Sequence, residues 1–262
     1  MDLDGIYRCA LAAAHSGATV LKERFGRLTT IRHKGAKDLV TEADIGSEQA
    51  IVAVIRRAFP DHAIIAEESG LQQGSGSGRW IIDPLDGTTN FAHDLRLFTV
   101  SIAFATDDGV HVGVVLEPLG AELFAAIKGR GAWCNGRPIH VSTAATVADS
   151  LLVTGFPYAV DQIMAEVMER LNACVRAAQG VRRLGSAALD LCHVACGRFD
   201  GFWEQRLKPW DIAAGALIAS EAGAMVTDFG NRPFGLDQDH ILATNGRIHQ
   251  EMIRLLEGTN WR

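Results

Sequence analysis

Three features are scarce in this chain, and each scarcity excludes a class of function. Cysteine is sparse and odd in number: five residues, Cys9, Cys134, Cys174, Cys192 and Cys196, lie scattered over 262 positions. That argues against a disulfide framework. Long apolar runs are missing, since none reaches the ~20 residues of a membrane span. Basic charge is in deficit, with 25 Lys and Arg against 31 Asp and Glu and a net charge of −6. No footprint for an anionic membrane is visible, and no direct nucleic-acid partner is expected. Two catalytic signatures are also lacking. The Gly-rich stretch 70–79 does not end in the Gly-Lys-Ser/Thr of a nucleotide P-loop, and no Gly-x-Ser-x-Gly elbow starts a serine hydrolase reading. The N-terminus, Met1-Asp2-Leu3-Asp4-Gly5, is acidic, unlike a signal peptide, and Arg8 and His15 break the apolar run after it. The expectation is a soluble, cytoplasmic protein. An acidic protein that acts on an anion needs local positive charge, most simply from a bound metal.

What is present suffices for a large core: 48% of the residues are hydrophobic, enough for one large domain or two closely joined lobes. Ile6, Ala10, Ala13, Gly17, Val20, Leu21 and Phe25 mark a helix over 5–25, and Ile51, Val52, Val54, Ile55 and Phe59 a second one ending before Pro60. Arg32 to Lys37 reads as a basic turn. Ala63–Ala66 reads as a buried strand running into Glu67-Glu68, and 70–79 as a surface loop. Phe98, Val100, Ile102 and Phe104 alternate with Thr99, Ser101 and Ala103, predicting a two-faced strand, with further strands at 111–116, 122–127 and 139–141. From about 145 strands alternate with helices, so the seam between an N-terminal α+β lobe, 1–145, and a C-terminal α/β lobe, 146–262, is expected there, the two forming one compact unit.

The chain is organised around Trp80-Ile81-Ile82-Asp83-Pro84-Leu85-Asp86-Gly87-Thr88-Thr89-Asn90-Phe91. Three apolar residues predict the end of a buried strand, and Pro84 and Gly87 predict that it stops there. Asp83 and Asp86 can converge across the turn, and two carboxylates brought together call for a hard cation such as Mg²⁺. A helix starting near Thr88 would offer free N–H groups to an anion. An ordinary Pro/Gly/Asp turn with a Thr cap explains the bare motif equally well. Other acids stand near element ends: Glu67 and Glu68, Asp38, Asp44 and Asp211. Taken singly, Asp44 and Asp211 also make good helix N-caps. Cys192-His193-x-x-Cys196 reads as a buried helix face rather than a zinc site, because His193 points elsewhere and no second ligand pair is in sight.

Four separated motifs resemble those of the inositol monophosphatase family: Asp83 to Phe91, Glu67-Glu68-Ser69, Asp38-Leu39-Val40-Thr41-x-x-Asp44, and Trp210-Asp211-x-x-Ala214-Gly215. The likeness runs nearly end to end and includes Asn135-Gly136. Arg182-Arg183-x-Gly185-Ser186-Ala187-Ala188-Leu189-Asp190 is similar to the bacterial extragenic-suppressor branch. The resemblance implies a layered α-β-α-β-α sandwich, of the α/β (α+β) type shared with fructose-1,6-bisphosphatases, and a Mg²⁺-dependent, lithium-sensitive phosphatase. It implies that Glu67, Asp83 and the Leu85 carbonyl hold a first Mg²⁺, that Asp83, Asp86 and Asp211 hold a second, and that Glu67 helps with a weaker third. Asp44 and Thr88, with Glu67, would ready the attacking water. The amides of Gly87 and Thr88 would bind phosphate. Arg183, Gly185, Ser186, Ala187, Glu204 and Asp211 would contact the substrate, and Lys34 would lie near the metals. Inositol 1-phosphate and related polyol or sugar monophosphates are the expected substrates. Sister activities toward fructose 1,6-bisphosphate, NADP(H), histidinol phosphate or 3′-phosphoadenosine phosphate are the alternatives. Thr89-Asn90 favours the inositol branch. A homodimer and a transcription-machinery partner are implied by family alone. Arg206 and Lys208 make the polyol side more basic than a neutral alcohol requires, which predicts use of substrates with a second anionic group.

Overall fold

Two amphipathic helices open the chain. In α1 (Leu3–Arg24), Ile6, Cys9, Ala10, Ala13, Ala14, Gly17, Ala18 and Leu21 form a buried stripe at helical spacing, and the Asp2 carboxylate caps the first turn by accepting from the Gly5 N–H. Its partner α2 (Glu42–Ala58) packs so closely on Gly17 that a Cβ there would come within 2.7 Å of Ser47 Oγ. In the computed structural model residues 1–33, 35 and 39–257 are described, so Lys34 and Asp38 lie outside the described residues. Where the sequence reads as a basic turn, β1 (Ile31–His33) and β2 (Leu39–Thr41) pair antiparallel.

Next comes an eight-stranded sheet. Its strands are β3 (Ala63–Ala66), β4 (Gly70–Gln72), β5 (Arg79–Asp86), β6 (Thr99–Thr106), β7 (Gly109–Glu117), β8 (Glu122–Ile127), β9 (Gly131–Cys134) and β10 (Arg137–Pro138), in the order β10-β9-β8-β7-β6-β5-β3-β4. All neighbours are antiparallel except β3 and β5. The one-turn helix α3 (Thr88–Ala92) separates β5 from β6.

The remainder alternates as expected: β11 (Leu151–Thr154), α4 (Met164–Ala177), β12 (Gly180–Arg182), α5 (Ala187–Ala195), β13 (Gly201–Gln205), α6 (Pro209–Glu221), β14 (Met225–Thr227), β15 (His240–Thr244) and α7 (His249–Leu256). These strands form a five-stranded sheet ordered β12-β11-β13-β15-β14, in which β11 runs parallel to β12 and β13.

Packing gives five layers, α-β-α-β-α. One face of the large sheet, with Ile82, Val100, Ile102, Phe104 and Val114, meets α1 and α2; the other, with Ile81, Ala103, Val115 and Phe124, meets α5 and α6. The same two helices turn Leu191, Val194, Ile212 and Ala216 toward Val153, Phe202 and Ala243 of the second sheet. The neighbouring residues Leu152, Trp203 and Leu242 point the opposite way, onto Met252, Ile253 and Leu256 of α7 and Cys174 of α4. Helix α6 can lie between two sheets because it is built from small residues. Gly113 of β7 meets it so closely that a Cβ would stand 2.7 Å from the Ala214 carbonyl.

Four local expectations need correction. The strand before the central motif does not stop at Pro84; β5 continues to Asp86, with its register against β6 shifting between Asp83 and Asp86. Proline removes one donor there, and the ladder accommodates it as an irregularity. The Thr99/Ser101/Ala103 face of β6 is buried like the other, since helices cover both faces. No strand covers 139–141; instead β9 and β10 form a hairpin around Asn135 (φ 50°) and Gly136 (φ 76°). The Gly-rich stretch begins with β4, pairing Ile65 with Leu71, before it loops.

Candidate active site

The end of β5 is held from both sides. Ser47 of α2 donates its hydroxyl to the Pro84 carbonyl at 2.8 Å, and Asp83 Oδ1 accepts the Leu85 N–H at 3.0 Å. Gly87 follows at φ 99° and caps α3. A Cβ at this position would lie 2.9 Å from the Leu97 carbonyl and 3.3 Å from that of Gly185, so glycine is needed both for the backbone angle and for the close approach of the second half of the chain. Asn90 fastens that approach, donating its amide to the carbonyls of Leu97 (2.7 Å) and Leu184 (2.8 Å).

Thr88 begins α3 with its hydroxyl buried. Its Oγ lies 2.9 Å from Asp44 Oδ1 and 3.0 Å from the Leu85 carbonyl. Asp44 is not the N-cap of α2. Thr41 is, and Asp44 closes the capping box from the third position, accepting the Thr41 N–H at 2.8 Å and the Thr41 hydroxyl at 2.5 Å. Burial pushes the Asp44 carboxyl up, and its hydrogen bonds from Thr41 and Thr88 work against that push.

Glu67, Asp83, Leu85, Asp86, Thr88 and Asp211 line one cavity of about 240 Å³. Glu67 stands just past β3, while the adjacent Glu68 donates its N–H to Glu48 and lines a different hollow. Asp211 is again the third residue of its helix rather than the N-cap. It accepts the Lys208 N–H at 2.6 Å, with Pro209 opening α6.

The electrostatics are those of crowded acids. Asp83 is raised well above the usual carboxylate range by burial and then by the charges of Glu67, Asp86 and Asp211. Asp86 is pushed up to about 6 by burial, opposed by the Ser186 hydroxyl and backbone N–H groups. Asp211 is pushed up to about 8 by burial, opposed by the Lys208 N–H and reinforced by Asp86 and Glu67. Both side chains keep some surface on the cavity, but the surrounding protein displaces most of their water. Asp83, Asp86 and Asp211 enter no ion pair among the described residues. Among those residues, too, no three His, Cys, Asp or Glu side chains gather tightly enough to ligate one ion as they stand. The charges therefore converge while individual oxygens are turned to protein donors: Asp83 to Leu85, Asp86 to Ser186 and Ala188, Asp211 to Lys208.

A second cavity of about 110 Å³ adjoins the first, sharing Asp86, Gly87 and Asp211 and adding Arg183, Gly185, Ser186, Ala187 and Glu204. Ser186 caps α5 and donates its hydroxyl to Asp86 Oδ2 at 2.7 Å, and the Ala188 N–H reaches the same oxygen at 2.8 Å. Glu204, near the end of β13, backs onto Gly155 so closely that a Cβ there would overlap its carboxylate. It is pushed up to about 8 by burial and then by Asp211.

The described residues to which the resemblance assigns a metal, water or substrate role thus line these two cavities, except Asp44, which bonds to Thr88 from outside them. The sequence reading assigned no structural role to four neighbours. Thr41 was detectable as half of a Thr-x-x-Asp capping pattern. Ser47 and the Asn90 clamp act through backbone carbonyls distant in sequence and carry no local signal. Asp190 of α5, whose two buried oxygens have no hydrogen-bond partner among the described residues, is raised well above the usual range by burial and then by Glu204. Cys192 is buried in the core, and the His193 ring packs obliquely on Phe199 at 5.7 Å.

Comparison with known proteins gives a consistent result. A model of the inositol monophosphatase family matches residues 2–259. The chain is 46% identical to an inositol-1-monophosphatase of Synechocystis sp., over 98% of this chain and 91% of that protein. It is 44% identical to the Nus factor SuhB of Pseudomonas aeruginosa, over 95% of this chain and 94% of that protein. The solved structure of an inositol monophosphatase from Anabaena (Nostoc) sp. PCC 7120 superposes with a TM-score of 0.89 at 41% identity, over 98% of this chain and 97% of that one. The chain belongs to the inositol monophosphatase family.

Proposed function

We propose that this protein is a Mg²⁺-dependent phosphatase that hydrolyses inositol 1-phosphate and related polyol or sugar monophosphates. The observation that carries the reading is the Thr88–Asp44 hydrogen bond of 2.9 Å, set beside a cavity into which Glu67, Asp83, Asp86 and Asp211 bring their charges. The donor set suits a hard divalent cation: carboxylates and one carbonyl, with burial and then the charges of Glu67, Asp86 and Asp211 all raising Asp83. Glu67, Asp83 and the Leu85 carbonyl would hold one ion and Asp83, Asp86 and Asp211 a second, with Glu67 helping a third. When bound, such ions neutralise phosphate charge, activate water and stabilise the leaving oxygen, so no covalent nucleophile is required.

The chain's own groups do the rest. A threonine hydroxyl is too weak an acid to act as base, so Asp44 accepts the proton that Thr88 relays from the attacking water. Glu67 borders the same cavity and positions that water. The N–H groups of Gly87 and Thr88 face the phosphate. Gly185, Ser186, Ala187, Arg183 and Glu204 orient the alcohol, and Asp211 lies where the two cavities meet. Lithium would inhibit by competing at the acids.

The Nus factor names among the relatives favour an added role with the transcription machinery. It is an addition, because a pure binding protein has no need of the full acid set. A homodimer and a cytoplasmic location complete the proposal; among the described residues no helix is long and apolar enough to cross a membrane. The test is phosphate release from inositol 1-phosphate, fructose 1,6-bisphosphate, histidinol phosphate and 3′-phosphoadenosine 5′-phosphate, with and without Mg²⁺. Metal-dependent turnover with inositol 1-phosphate preferred is the expected result. Turnover of none by folded, metal-supplied protein removes the phosphatase reading and leaves the regulatory one.

A further inference from the structure

We infer that Tyr158 is a specificity-determining residue, whose ring at the mouth shared by the two cavities packs on the C–H face of a cyclic alcohol and so favours ring-bearing monoesters over acyclic ones; this rests on the phosphatase reading above. The first observation is its place. Among the described residues, Asp86, Gly87, Tyr158, Arg206 and Asp211 line both cavities. The two acids and the Gly87 amide belong to the metal and phosphate side, and Arg206 carries a full charge. Tyr158 is the member of this group that brings an aromatic, largely apolar surface. The ester oxygen joins phosphate to alcohol where the two cavities meet, so a residue of both walls stands beside the first carbons of the alcohol.

The second observation is exposure. Tyr158 is 51% exposed, and it is the one aromatic ring among the large apolar side chains that the described residues leave in water. On a convex surface such a ring would be unremarkable. At the mouth of a concave site it is apolar area that a ligand can cover.

The third observation is that the segment bearing it, the connection between β11 and α4, is tied down on either side of the ring. Upstream, Thr154 donates its hydroxyl to the Trp203 carbonyl at 2.7 Å, and the Phe156 ring lies 5.7 Å from the Arg183 guanidinium carbon. Pro157, with its fixed backbone angle, immediately precedes the tyrosine. Downstream, the Gln162 side chain accepts from Arg206 at 3.1 Å, and the Ile163 N–H binds the Val160 carbonyl at 3.0 Å. A ring with two side-chain torsions, carried on a segment held at both ends, has little freedom to lose when a ligand settles on it.

The chemistry of the alcohol completes the argument. A cyclic polyol carries its hydroxyl groups around the rim and C–H bonds on its faces. Ser186 and Glu204 in the second cavity answer the rim. The face calls for a flat apolar partner, which Tyr158 supplies. An acyclic polyol has the hydroxyl groups but no such face.

The test compares inositol 1-phosphate with glycerol 2-phosphate, both phosphate monoesters of a secondary alcohol and differing in the ring, on wild type, Tyr158→Ala and Tyr158→Phe. The side chain is half in solvent, so neither substitution threatens the fold. In Tyr158→Ala, KM for inositol 1-phosphate should rise about tenfold with kcat within twofold, the scale of returning one aromatic face to water. KM for glycerol 2-phosphate should change by less than about twofold, and Tyr158→Phe should restore wild-type behaviour on the cyclic ester. An unchanged KM for inositol 1-phosphate in Tyr158→Ala overturns the inference. So does an equal rise on both esters, which would assign Tyr158 to the phosphate, or a Tyr158→Phe defect as large as that of alanine, which would assign the effect to the hydroxyl. Should wild type turn over neither ester, calorimetric titration with the same two ligands decides. Tighter binding of the cyclic ester that is lost in Tyr158→Ala overturns the phosphatase reading alone; equal affinities, or binding of neither, overturn the inference.

Discussion

Replacing Thr88 with valine removes one hydroxyl and almost no volume. The hydroxyl is buried, and its loss strips the Asp44 carboxylate of a donor at 2.9 Å and the Leu85 carbonyl of another at 3.0 Å. A buried hydrogen bond to a charged group is worth about 1.5–3 kcal/mol. In a chain of this size each kcal/mol shifts Tm by roughly 2–4 °C, so a fall of about 3–12 °C is expected. The effect on rate should be larger in energy. Removing a positioned proton relay costs about 10²–10⁴ in kcat, or roughly 3–5 kcal/mol of barrier. Thr88→Ser keeps the hydroxyl and should retain most of the activity, which separates chemistry from packing. Phosphate release with Mg²⁺, read beside thermal unfolding of the same preparations, makes the measurement. A folded Thr88→Val protein with kcat within twofold of wild type would refute the role given to this residue.

Three further outcomes follow from the same geometry. Gly87→Ala forces a Cβ to within 2.9 Å of the Leu97 carbonyl at φ 99°, and should destabilise by roughly 2–5 kcal/mol in denaturant unfolding; an effect below about 0.5 kcal/mol would show that the turn is not held this tightly. Asn90→Ala frees the carbonyls of Leu97 and Leu184, with an expected loss of roughly 2 kcal/mol and a KM rise that exceeds any fall in kcat; an unchanged KM would count against the clamp. His193 is pushed down to about 4, chiefly by burial and then by Arg198, against the opposing charge of Glu122. Below about 6.5 the unfolded chain binds a proton that the folded one refuses, so this stability is complete above that pH and drains as pH falls toward 4. Between pH 8 and pH 5 wild type should lose about 2 kcal/mol more than His193→Phe in denaturant titration, and parallel profiles would contradict the assignment.

The acid cavity was legible in the sequence because its acids sit at strand ends and helix starts within short motifs, where local rules speak directly. Asp83, Asp86 and Thr88 fall within one short stretch, and Glu67 and Asp211 each mark the boundary of a clear element. The exact capping roles were not legible: Asp44 and Asp211 both occupy the third helical position, behind Thr41 and Lys208, because a carboxylate reaching back to the preceding N–H mimics an N-cap in composition. Alternation along β6 separated its two faces without showing that both are covered: Thr99 and Ser101 are buried beneath the central helix layer. Pro84 predicted an ending where the strand only shifts register. Contacts made through backbone carbonyls, such as those of Asn90 and Ser47, leave no residue pattern to read. The orphaned acid of Asp190 is visible only once its surroundings are known.

The most direct test of the central claim is Mg²⁺-dependent phosphate release from inositol 1-phosphate by wild type and Asp83→Asn, each checked for folding by its unfolding transition. Asp83 is the acid on which the charges of Glu67, Asp86 and Asp211 all bear. Turnover in wild type that vanishes without Mg²⁺ and falls at least about 10³-fold in a folded Asp83→Asn variant is what the account predicts. Equal turnover by the two proteins, or none by wild type supplied with metal, would contradict it.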